Sequence, residues 1–529
     1  MDPTYFGIDI ILYPKGMRGK TLQEQGRVIE INGANSGSSF YKMGETGFYR
    51  RAARWMAQRG TVLLPYDITS EFMREQTEAN RSATSEVSQC AHTTIDMHAQ
   101  LQDEHPCTNF HIFHDYSIDS VRSRTRDPHA YSSSKSLPFL RALREQGLAH
   151  KTYDSFTVAN GVLRITRSVV PDDVLAAYPE QPIDEPRRVW PISESFPYWC
   201  EVEHIAVADI GLVFSSLNRG CERELGRERI VNGTYLDDLS FQKDIQQFSG
   251  ALFGLDSGLN YGLADMLPSG ILIGGGMHTP DAVATFVRQH GELFVTKPLD
   301  GSQGTGVRIR DANEVLAMAR QVFYDPSPAA RARAYADHLV SFSLGKQPTV
   351  AGVLLAQPLI PSTLVSHPSG SSYPACARAI VGDGAFLGAA WRSSCNDEGS
   401  LTDRLVHNVG RGAAYLPIED QDLPVITEMA EAAVAAFHGF AERVADRTSM
   451  LTLPHADYLD TQHDDVVFRT ARDATHLVLM DAAARANGVD LEGVLSRSDE
   501  QPRAFREALR RVGDFYQQMK AQGLLSHDN

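Results

Sequence analysis

The sequence predicts a multidomain protein that combines α/β and α+β architecture, and three observations support this prediction. Its 529 residues exceed what a single hydrophobic core usually organises, so two or three domains are expected. The first 150 residues alternate short apolar runs with helical patterns, which is the rhythm of a small parallel sheet. Farther along, two strand-like runs flank a glycine-rich loop, which indicates a strand, a loop and a second strand.

Apolar periodicity defines the elements of the first 150 residues. Glu45 to Arg59 predicts a helix that Gly60 terminates, and residues 70 to 102 predict helical structure with one exposed face. Because strands and helices alternate, we expect an N-terminal α/β domain that spans residues 1 to 235. The predicted strands are Tyr5 to Leu12, Val28 to Ile31, Thr61 to Tyr66 and Asn109 to His114.

Turn and capping signals mark the middle of the chain. Ala159-Asn160-Gly161 predicts a hairpin turn, and the stretch from Pro171 to Pro197, rich in proline and acidic residues, predicts a loop or a linker. Thr279-Pro280-Asp281 has the pattern of a helix N-terminus, and Gly291 follows the end of that helix. We therefore expect a capped helix directly before the glycine-rich loop.

The overall charge and composition argue against several classes of protein. The net charge of -16 argues against a protein that wraps a nucleic acid backbone. No apolar run approaches the roughly twenty residues that a membrane span needs. The six cysteines are scattered without a Cys-x-x-Cys pair, so neither a disulfide framework nor a zinc site is indicated. No signal peptide is recognisable, and we therefore expect a cytoplasmic protein without membrane or nucleic acid partners.

The most informative stretch runs from Leu293 to Arg310. An apolar run leads to Lys297, and Gly301 to Gly306 holds three glycines and three polar residues. A fixed positive charge beside a loop that can turn its backbone N–H groups inward is suited to binding phosphate. A Walker loop or a dinucleotide fingerprint would open a helix, whereas Val307 to Arg310 alternates like a strand. The alternative is a glycine-rich hairpin that binds no ligand.

This motif resembles the lysine strand and phosphate-covering loop of the ATP-grasp ligases, especially the glutathione synthetase and ribosomal-protein glutamate ligase branch. Later segments resemble further parts of that family in the same order, across residues 281 to 481. They are Gly352 to Ile360 for the adenine-binding hinge, Cys376 to Gly384 for a strand with a phosphate-facing arginine and a two-residue turn, Ala389 to Arg392 for the paired strand, and Asn408 to Gly412 for an Asn-x-x-Arg-Gly segment.

The resemblance implies an ATP-grasp fold preceded by a pre-ATP-grasp domain that helps to bind the second substrate. On this interpretation, residues 1–235 form the N-terminal α/β substrate-side domain and residues 236–345 form the central subdomain. Residues 346–529 form the C-terminal subdomain with its C-terminal helix. The implied activity is an ATP-dependent ligation: a carboxylate is phosphorylated, an amine displaces phosphate from the acyl phosphate, and ADP and phosphate are released. The implied substrates are small molecules, by default an amino acid or a small peptide.

The resemblance also assigns roles to individual residues. Lys297 would contact the α and β phosphates, and Lys243 is the candidate for a further lysine before the loop. Arg378, Arg392 and Arg411 would neutralise phosphate and acyl-phosphate oxygens, the alternative being solvated arginines without a ligand. The remaining nucleotide contacts would come from Gly301, Ser302, Gln303, Gly304, Thr305 and Gly306 over the phosphates, from Gln357, Pro358, Leu359 and Ile360 at the adenine, and from Asn408.

The predicted magnesium site departs from the family pattern. Two Mg2+ ions are expected to bridge the phosphates, and Asp457 and Asp481, on two late predicted strands, are the candidate ligands. Ala483 stands where the family has an asparagine, and Cys376 stands where it has a ribose-binding acid. Three explanations are open: a sparser metal site, a different alignment, or a site completed from elsewhere in the chain.

Two other segments contain residues that could bind metal. Glu30-Ile31-Asn32 has the spacing of acid and asparagine that the late strand lacks, although its use would need a rearranged chain order. It is otherwise a strand that ends in a glycine and asparagine turn, or a loop that holds the acceptor substrate. His111, His114 and Asp115 suggest a metal cluster, but their spacing on a strand points the two histidines to opposite faces, which favours structural roles.

Two alternative functions and one question of assembly stay open. An ATP-grasp phosphotransferase would leave a stable phosphorylated product, whereas a non-catalytic nucleotide-binding or scaffold protein would bind ATP without releasing ADP. The chain ends in a predicted amphipathic helix from Pro502 to Gly523. This helix is expected to pack on the body of the protein or to form the contact of a homodimer.

Overall fold

The structure is a computed structural model of the chain, and it describes part of the sequence in separate segments. The helix predicted in residues 70–102 and the loop predicted from Pro171 to Pro197 lie outside these segments. The described residues are 2–33, 48–66, 110–114, 152–153, 155–169, 199–213, 222–233, 236, 239–240, 243, 245–248, 266–273, 278–299, 306–322, 354–367, 370–394, 401–405, 413–451, 463–486, 488–496 and 503–525.

The strands and helices are numbered in chain order. The strands are β1 (Tyr5–Leu12), β2 (Gly26–Asn32), β3 (Thr61–Tyr66), β4 (Phe110–His114), β5 (Thr152–Tyr153), β6 (Ser155–Ala159), β7 (Val162–Val169), β8 (Trp199–Ala206), β9 (Ile210–Val213), β10 (Ile271–Ile273), β11 (Leu293–Pro298), β12 (Arg308–Asp311), β13 (Leu354–Pro358), β14 (Leu364–Ser366), β15 (Ser372–Gly382), β16 (Ala385–Ser394) and β17 (Ala413–Leu416). The helices are α1 (Leu22–Gln25), α2 (Phe48–Ala57), α3 (Glu222–Leu225), α4 (Pro280–His290), α5 (Ala312–Val322), α6 (Leu401–Leu405), α7 (Leu423–Thr448), α8 (His463–Ala486), α9 (Leu491–Ser496) and α10 (Arg503–Ala521).

The largest sheet joins the first strands of the chain to strands far along it. Its order is β17-β16-β15-β1-β2, with β14 also pairing with β15, and its pairs are antiparallel. In this sheet Asp9 lies opposite Arg378, 369 positions later in the chain. β1 and β2 therefore do not belong to the parallel sheet predicted for the first 150 residues. β1 pairs with β15, so strands on both sides of the predicted boundary at residue 235 belong to one sheet.

The apolar face of this sheet forms the main core beneath a long helix. Residues alternate along β1, so that Phe6, Ile8 and Ile10 are fully buried on one face. α7 covers that face, and the ring of Phe437 meets the ring of Phe6 edge to face with 5.3 Å between centroids. Because this face is apolar and covered, the charged side chains of the same strands lie on the opposite face.

The second antiparallel sheet carries the two strands that flank the glycine-rich loop. Its order is β10-β13-β11-β12, and α4 and α5 pack against it. β11 and β12 pair with Thr296 opposite Arg308, which confirms the predicted order of strand, loop and strand. The hydroxyl of Thr279 accepts a hydrogen bond from the N–H of Ala282 at 3.0 Å, so α4 begins with the predicted cap.

Two smaller sheets are formed by residues between Thr61 and Val213. The order β5-β4-β3-β9 is parallel, so the parallel sheet expected near the N-terminus is present with two of its four predicted strands, β3 and β4. β6, β7 and β8 form an antiparallel sheet. Asn160 and Gly161 have φ angles of 52° and 73°, which the predicted two-residue hairpin turn requires.

The last part of the described chain is helical, and this corrects one prediction. The strand predicted at residues 476–481 is wrong, because these residues lie inside α8. Ala474, Leu477 and Met480 are buried at helical spacing. α8 as a whole is rich in alanine, the strongest helix former. α10 packs in the same apolar cluster, which confirms that the C-terminal helix lies on the body of the protein. Its buried positions are Leu509, Val512, Phe515, Tyr516 and Met519.

No helix among the described residues combines the length and the apolarity that crossing a membrane requires.

Candidate functional site

The polar face of the largest sheet gathers charged residues from four strands. Asp9 of β1 lies opposite Arg378 of β15 on one side and opposite Glu30 of β2 on the other. Cys376, two residues before Arg378, lies opposite Arg392 of β16. Directly opposite residues of an antiparallel pair share a face, and so do residues two apart on a strand. All five side chains therefore project from the face that α7 does not cover.

Asp9 bridges the two arginines in a buried ion network. The guanidinium of Arg378 donates to Asp9 from Nε to Oδ1 at 2.5 Å and from Nη2 to Oδ2 at 3.0 Å. Nη2 of Arg392 lies 2.6 Å from Oδ1 of the same carboxylate. Asp9 is 2% exposed, Arg378 8% and Arg392 7%, so water scarcely screens these charges. Asp9 therefore ties β1, β15 and β16 together on the polar face.

The pKa values follow from this arrangement. Burial alone would raise the pKa of Asp9, but the charges and hydrogen bonds of Arg378 and Arg392 lower it to about 2. Burial raises the pKa of the Cys376 thiol to about 11, so this thiol is protonated at neutral pH. Asp9 is thus a stable anion, and Cys376 is a weak donor near the arginines.

Arg392 keeps a free donor inside this network. Its Nη2 contacts the carboxylate of Asp9 and also lies 3.8 Å from the sulfur of Cys376. Its Nε is buried without a hydrogen-bond partner among the described residues. A buried charged N–H without a partner costs free energy, so a hydrogen bond from this atom to an acceptor of a ligand would be favourable.

Lys297, which belongs to the second sheet, contacts the edge strand β2 of the largest sheet. It lies near the end of β11, and its Nζ donates a hydrogen bond to the carbonyl oxygen of Ile29 at 3.3 Å. Ile29 has no partner in the β1–β2 register, because the pairing shifts between Asp9 with Glu30 and Ile10 with Val28. A bulge of this kind leaves one residue unpaired in the ladder, which makes its carbonyl available to the lysine.

Among the described residues, the site holds more positive than negative side chains. Burial lowers the pKa of Lys297, the charge of Glu30 raises it, and the charge of Lys243 lowers it further, with the net change downward. Nζ of Lys243 lies 3.6 Å from Oε1 of Glu30. Lys243, Lys297 and the two arginines face the two carboxylates of Asp9 and Glu30, which leaves an excess of two positive charges. Such an excess in a partly buried place attracts anions.

The structure brings together three of the residues to which the sequence assigns phosphate binding. Lys297, Arg378 and Arg392 converge, although the lysine and the arginines lie in different sheets. Gly306, at the end of the predicted phosphate loop, has a φ of 75°, which glycine adopts without strain. The other predicted residues Gly301, Ser302, Gln303, Gly304, Thr305, Asn408, Arg411 and Asp457 lie outside the described residues.

One backbone donor of the predicted adenine hinge is already engaged within the sheet. The N–H of Leu359 donates to the carbonyl of Leu293 at 2.8 Å, so it extends the β11–β13 ladder and is not available to a base. Gln357 is buried, and its side-chain amide donates to Oε1 of Gln247 at 2.9 Å. Gln357 lies on the same face of the sheet as Lys297, because Leu355 pairs with Lys297 and is two residues earlier. Pro358 ends β13, and Ile360 follows it.

Asp481 does not have the environment predicted for a metal ligand. Its carboxylate is buried in α8, where it accepts a hydrogen bond from the hydroxyl of Tyr516 at 2.6 Å and lies 2.8 Å from Nη2 of Arg485. The carboxylate therefore joins α8 to α10. Across the described part of the chain, no group of three or more His, Cys, Asp or Glu side chains is placed to hold a metal ion.

The N-terminal strand β2 carries an acid and an asparagine at the spacing that the late segment lacks. Glu30 and Asn32 are two residues apart on β2, so both lie on the polar face, with Asn32 opposite Gly7. The side-chain amide of Asn32 donates to the carbonyl of Gly7 at 3.3 Å, which leaves its amide oxygen as an acceptor. Glu30 and Asn32 therefore present a carboxylate and an amide oxygen, the donor types that Mg2+ accepts.

Among the described residues of this network, Asp9 is the one that carries no recognisable motif in the sequence. The signal that could have revealed it is a single acid within the otherwise apolar strand Tyr5–Leu12. A carboxylate inside such a strand is buried and must be paired, which makes a cationic partner on a neighbouring strand necessary.

No family model matches the sequence, and no curated protein aligns with it significantly. The geometry of the candidate site therefore carries the functional argument.

Proposed function

We propose that the protein is an ATP-dependent ligase of ATP-grasp type, which joins a carboxylate to an amine and releases ADP and phosphate. One observation carries the proposal: Lys297, Arg378 and Arg392 converge beside the carboxylates of Asp9 and Glu30. Cations for phosphate oxygens next to oxygen ligands for a divalent metal are the components that phosphoryl transfer needs. The paired strands around the glycine-rich loop support the same proposal.

The reaction would proceed in two steps. A carboxylate oxygen of the substrate attacks the γ-phosphorus of ATP, and the bond from this phosphorus to the bridging oxygen of ADP breaks. The amine nitrogen then attacks the acyl carbon, the carbon–oxygen bond to phosphate breaks, and the nitrogen loses a proton. Phosphoryl transfer requires positioning and neutralisation of charge more than covalent help from the protein. The substrate carboxylate is by default that of an amino acid or a small peptide.

The cations have complementary roles in this scheme. Guanidinium groups are suited to phosphate oxygens; the fork of Arg378 already holds Asp9, whereas the free Nε of Arg392 offers a donor to the ligand. Lys297 presents a compact charge from the other sheet, next to the loop Gly301 to Gly306. These groups would hold the phosphates between the two sheets, and the loop backbone would cover them.

We assign the magnesium ligands to the N-terminal strands. Glu30 and Asn32 lie on one face of β2 and offer oxygens of the chemical type that Mg2+ accepts, whereas both oxygens of the neighbouring Asp9 are held by Arg378 and Arg392. When bound there, Mg2+ would neutralise the developing charge on the phosphates. The acid and the asparagine that are missing around Asp481 would then come from the start of the chain. The pairing of β1 with β15 makes this possible, because strand position and not chain order decides which side chains meet.

The proposal is tested by measuring ADP release from MgATP in the presence of pooled carboxylates and amines. We expect release only when both pools are present. Replacing Arg392 with glutamine should lower the rate by about 100-fold or more, the usual effect of removing a group that stabilises transition-state charge. Arg510→Gln, at an exposed position of α10, is the matched control and should keep the rate.

Two outcomes would overturn the ligase proposal. ADP release with a carboxylate alone, together with a stable phosphorylated product, would show a phosphotransferase. Binding of MgATP without ADP release from any combination of pools would show a non-catalytic nucleotide-binding protein.

A further inference from the structure

The hydroxyl of Thr402 joins the short helix α6 to the edge of the second sheet. It accepts a hydrogen bond from the N–H of Ile309, in β12, at 2.9 Å. Among the described residues β12 is the last strand of its sheet, so a side chain from outside the sheet takes the place of a neighbouring strand here. Thr402 is 5% exposed, so water competes little for this bond.

The position of α6 makes this bond a link between the two groups of cations. α6 follows β16, the strand of Arg392, and contacts both β16 and β12. On the other side of the bond, Ile309 pairs with Val295 of β11, and Lys297 lies two residues after Val295. The bond therefore connects the strand of Arg392 to the strand pair that carries Lys297.

A second set of contacts joins the two sheets at a separate place. The side-chain amide of Gln246 donates to the carbonyl of Ile31 in β2 at 3.2 Å, and Gln247 accepts a hydrogen bond from Gln357 of β13. β2 and β16 are separated by β15 and β1 in the first sheet. One contact alone would let one sheet turn over the other, whereas two separated contacts fix the spacing of the side chains between them.

We propose that Thr402 is a positioning residue, which sets the distance of Lys297 from Arg392 for the binding of a nucleotide polyphosphate. The inference rests on the proposed function, since it takes both cations to be phosphate ligands. It assigns a role in ligand binding to a hydroxyl that lies on neither cation strand. Such a role is effective because electrostatic contacts to a bound group depend steeply on its exact placement.

The test is a double-mutant cycle of MgATP affinity, measured by calorimetry, with Thr402→Val and Lys297→Met. Valine removes the hydroxyl acceptor at nearly constant shape, and in the wild-type background we expect an affinity loss of about fivefold or more. In the Lys297→Met background the same substitution should cost less than about twofold, because the group that it misplaces is already absent. Thr402→Ser keeps a hydroxyl and should bind as wild type. Thr285→Val is the matched control, since the Thr285 hydroxyl donates within α4, to the carbonyl of Asp281 at 2.9 Å, and it should also bind as wild type.

Each contrary result has a distinct meaning. Affinity of folded Thr402→Val within about twofold of wild type would overturn the inference and leave the proposed function standing. Equal losses in both backgrounds, or a Thr402→Ser variant as weak as Thr402→Val, would also overturn it, because Thr402 would then stabilise the fold without positioning the lysine. Absence of MgATP binding by wild type would overturn both the inference and the proposed function.

Circular dichroism would show whether Thr402→Val folds. If it does not, Thr402→Ala takes its place in the cycle, because a smaller side chain lets water reach the N–H of Ile309. Failure of both variants to fold would assign Thr402 a purely structural role and overturn the inference.

Discussion

Replacing Lys297 with methionine isolates the contribution of its charge to nucleotide binding. Methionine keeps an unbranched apolar side chain of similar length, so most of the packing of the lysine stem is preserved. The substitution removes the hydrogen bond from Nζ to the carbonyl of Ile29, which measures 3.3 Å. A bond of this kind contributes about 1 kcal/mol to stability, so the folded protein should lose little.

The expected effect on ligand binding is larger. A charge-assisted hydrogen bond to a phosphate oxygen contributes about 1.5–3 kcal/mol, which corresponds to an affinity loss of roughly 10- to 150-fold. Lys297 is partly buried, and its pKa is lowered chiefly by burial, so its charge is weakly screened where it meets the ligand. We therefore expect Lys297→Met to bind MgATP at least about tenfold more weakly than wild type.

The assay is calorimetry with MgATP, combined with thermal unfolding of both proteins to confirm the fold. Lys15→Met is the matched control, because the Lys15 side chain is 56% exposed and pairs with a surface glutamate at 3.4 Å. It should leave the affinity unchanged. Equal affinity of Lys297→Met and wild type, within about twofold, would show that the lysine does not contact phosphate and would refute the site as described.

Three further predictions concern the network and the fold. Asp481→Asn should lower the free energy of unfolding by about 1–2 kcal/mol, because it weakens the buried bond from Tyr516, and should leave the Mg2+ dependence of ATP binding unchanged. The pKa of Asp9 is lowered from its ordinary value near 4 to about 2, so its ion network should stabilise the fold fully above about pH 4. That contribution, at most about 2.5 kcal/mol, should be lost as the pH falls toward 2, and denaturant unfolding of wild type and Asp9→Asn would measure it as a difference. Gly384→Ala should cost about 1 kcal/mol in the same assay, because Gly384 has a φ of 78° and nothing lies within 4 Å of an added Cβ.

Specific results would contradict each of these predictions. A loss of Mg2+ dependence in Asp481→Asn would restore this carboxylate as a metal ligand. A difference between wild type and Asp9→Asn that grows as the pH falls below 4 would contradict the lowered pKa of Asp9. Unchanged stability of Gly384→Ala would mean that the turn relaxes to a conformation with negative φ.

Local patterns predicted much of the fold because their physical causes are local. The cap at Thr279 depends on a hydroxyl and an N–H three residues apart. The hairpin turns at Asn160 and Asp383 depend on which residues tolerate positive φ. Lys297 before a glycine-rich loop likewise needs no distant partner to be recognised as a candidate anion-binding motif. Each of these signals lies within a window of a few residues.

The helix that contains Asp481 shows where local patterns mislead. A short apolar run such as residues 477–480 suits a buried strand and a buried helix equally well. The structure resolves the ambiguity through packing, because α8 buries residues at helical spacing against α10 and joins it through Tyr516. Asp481 is part of that contact, so its environment differs from the one predicted for a metal ligand.

The sequence by itself determined most of the described strands, the cap at Thr279, the hairpin turns and the identity of the three cations that the structure brings together. Only the tertiary structure decided that β1 lies beside β15, and therefore that Asp9 meets Arg378 and Arg392 and that Glu30 and Asn32 share their face. The reason is physical: an element forms from interactions among near neighbours in the chain, whereas strand pairing depends on matching faces that lie hundreds of residues apart.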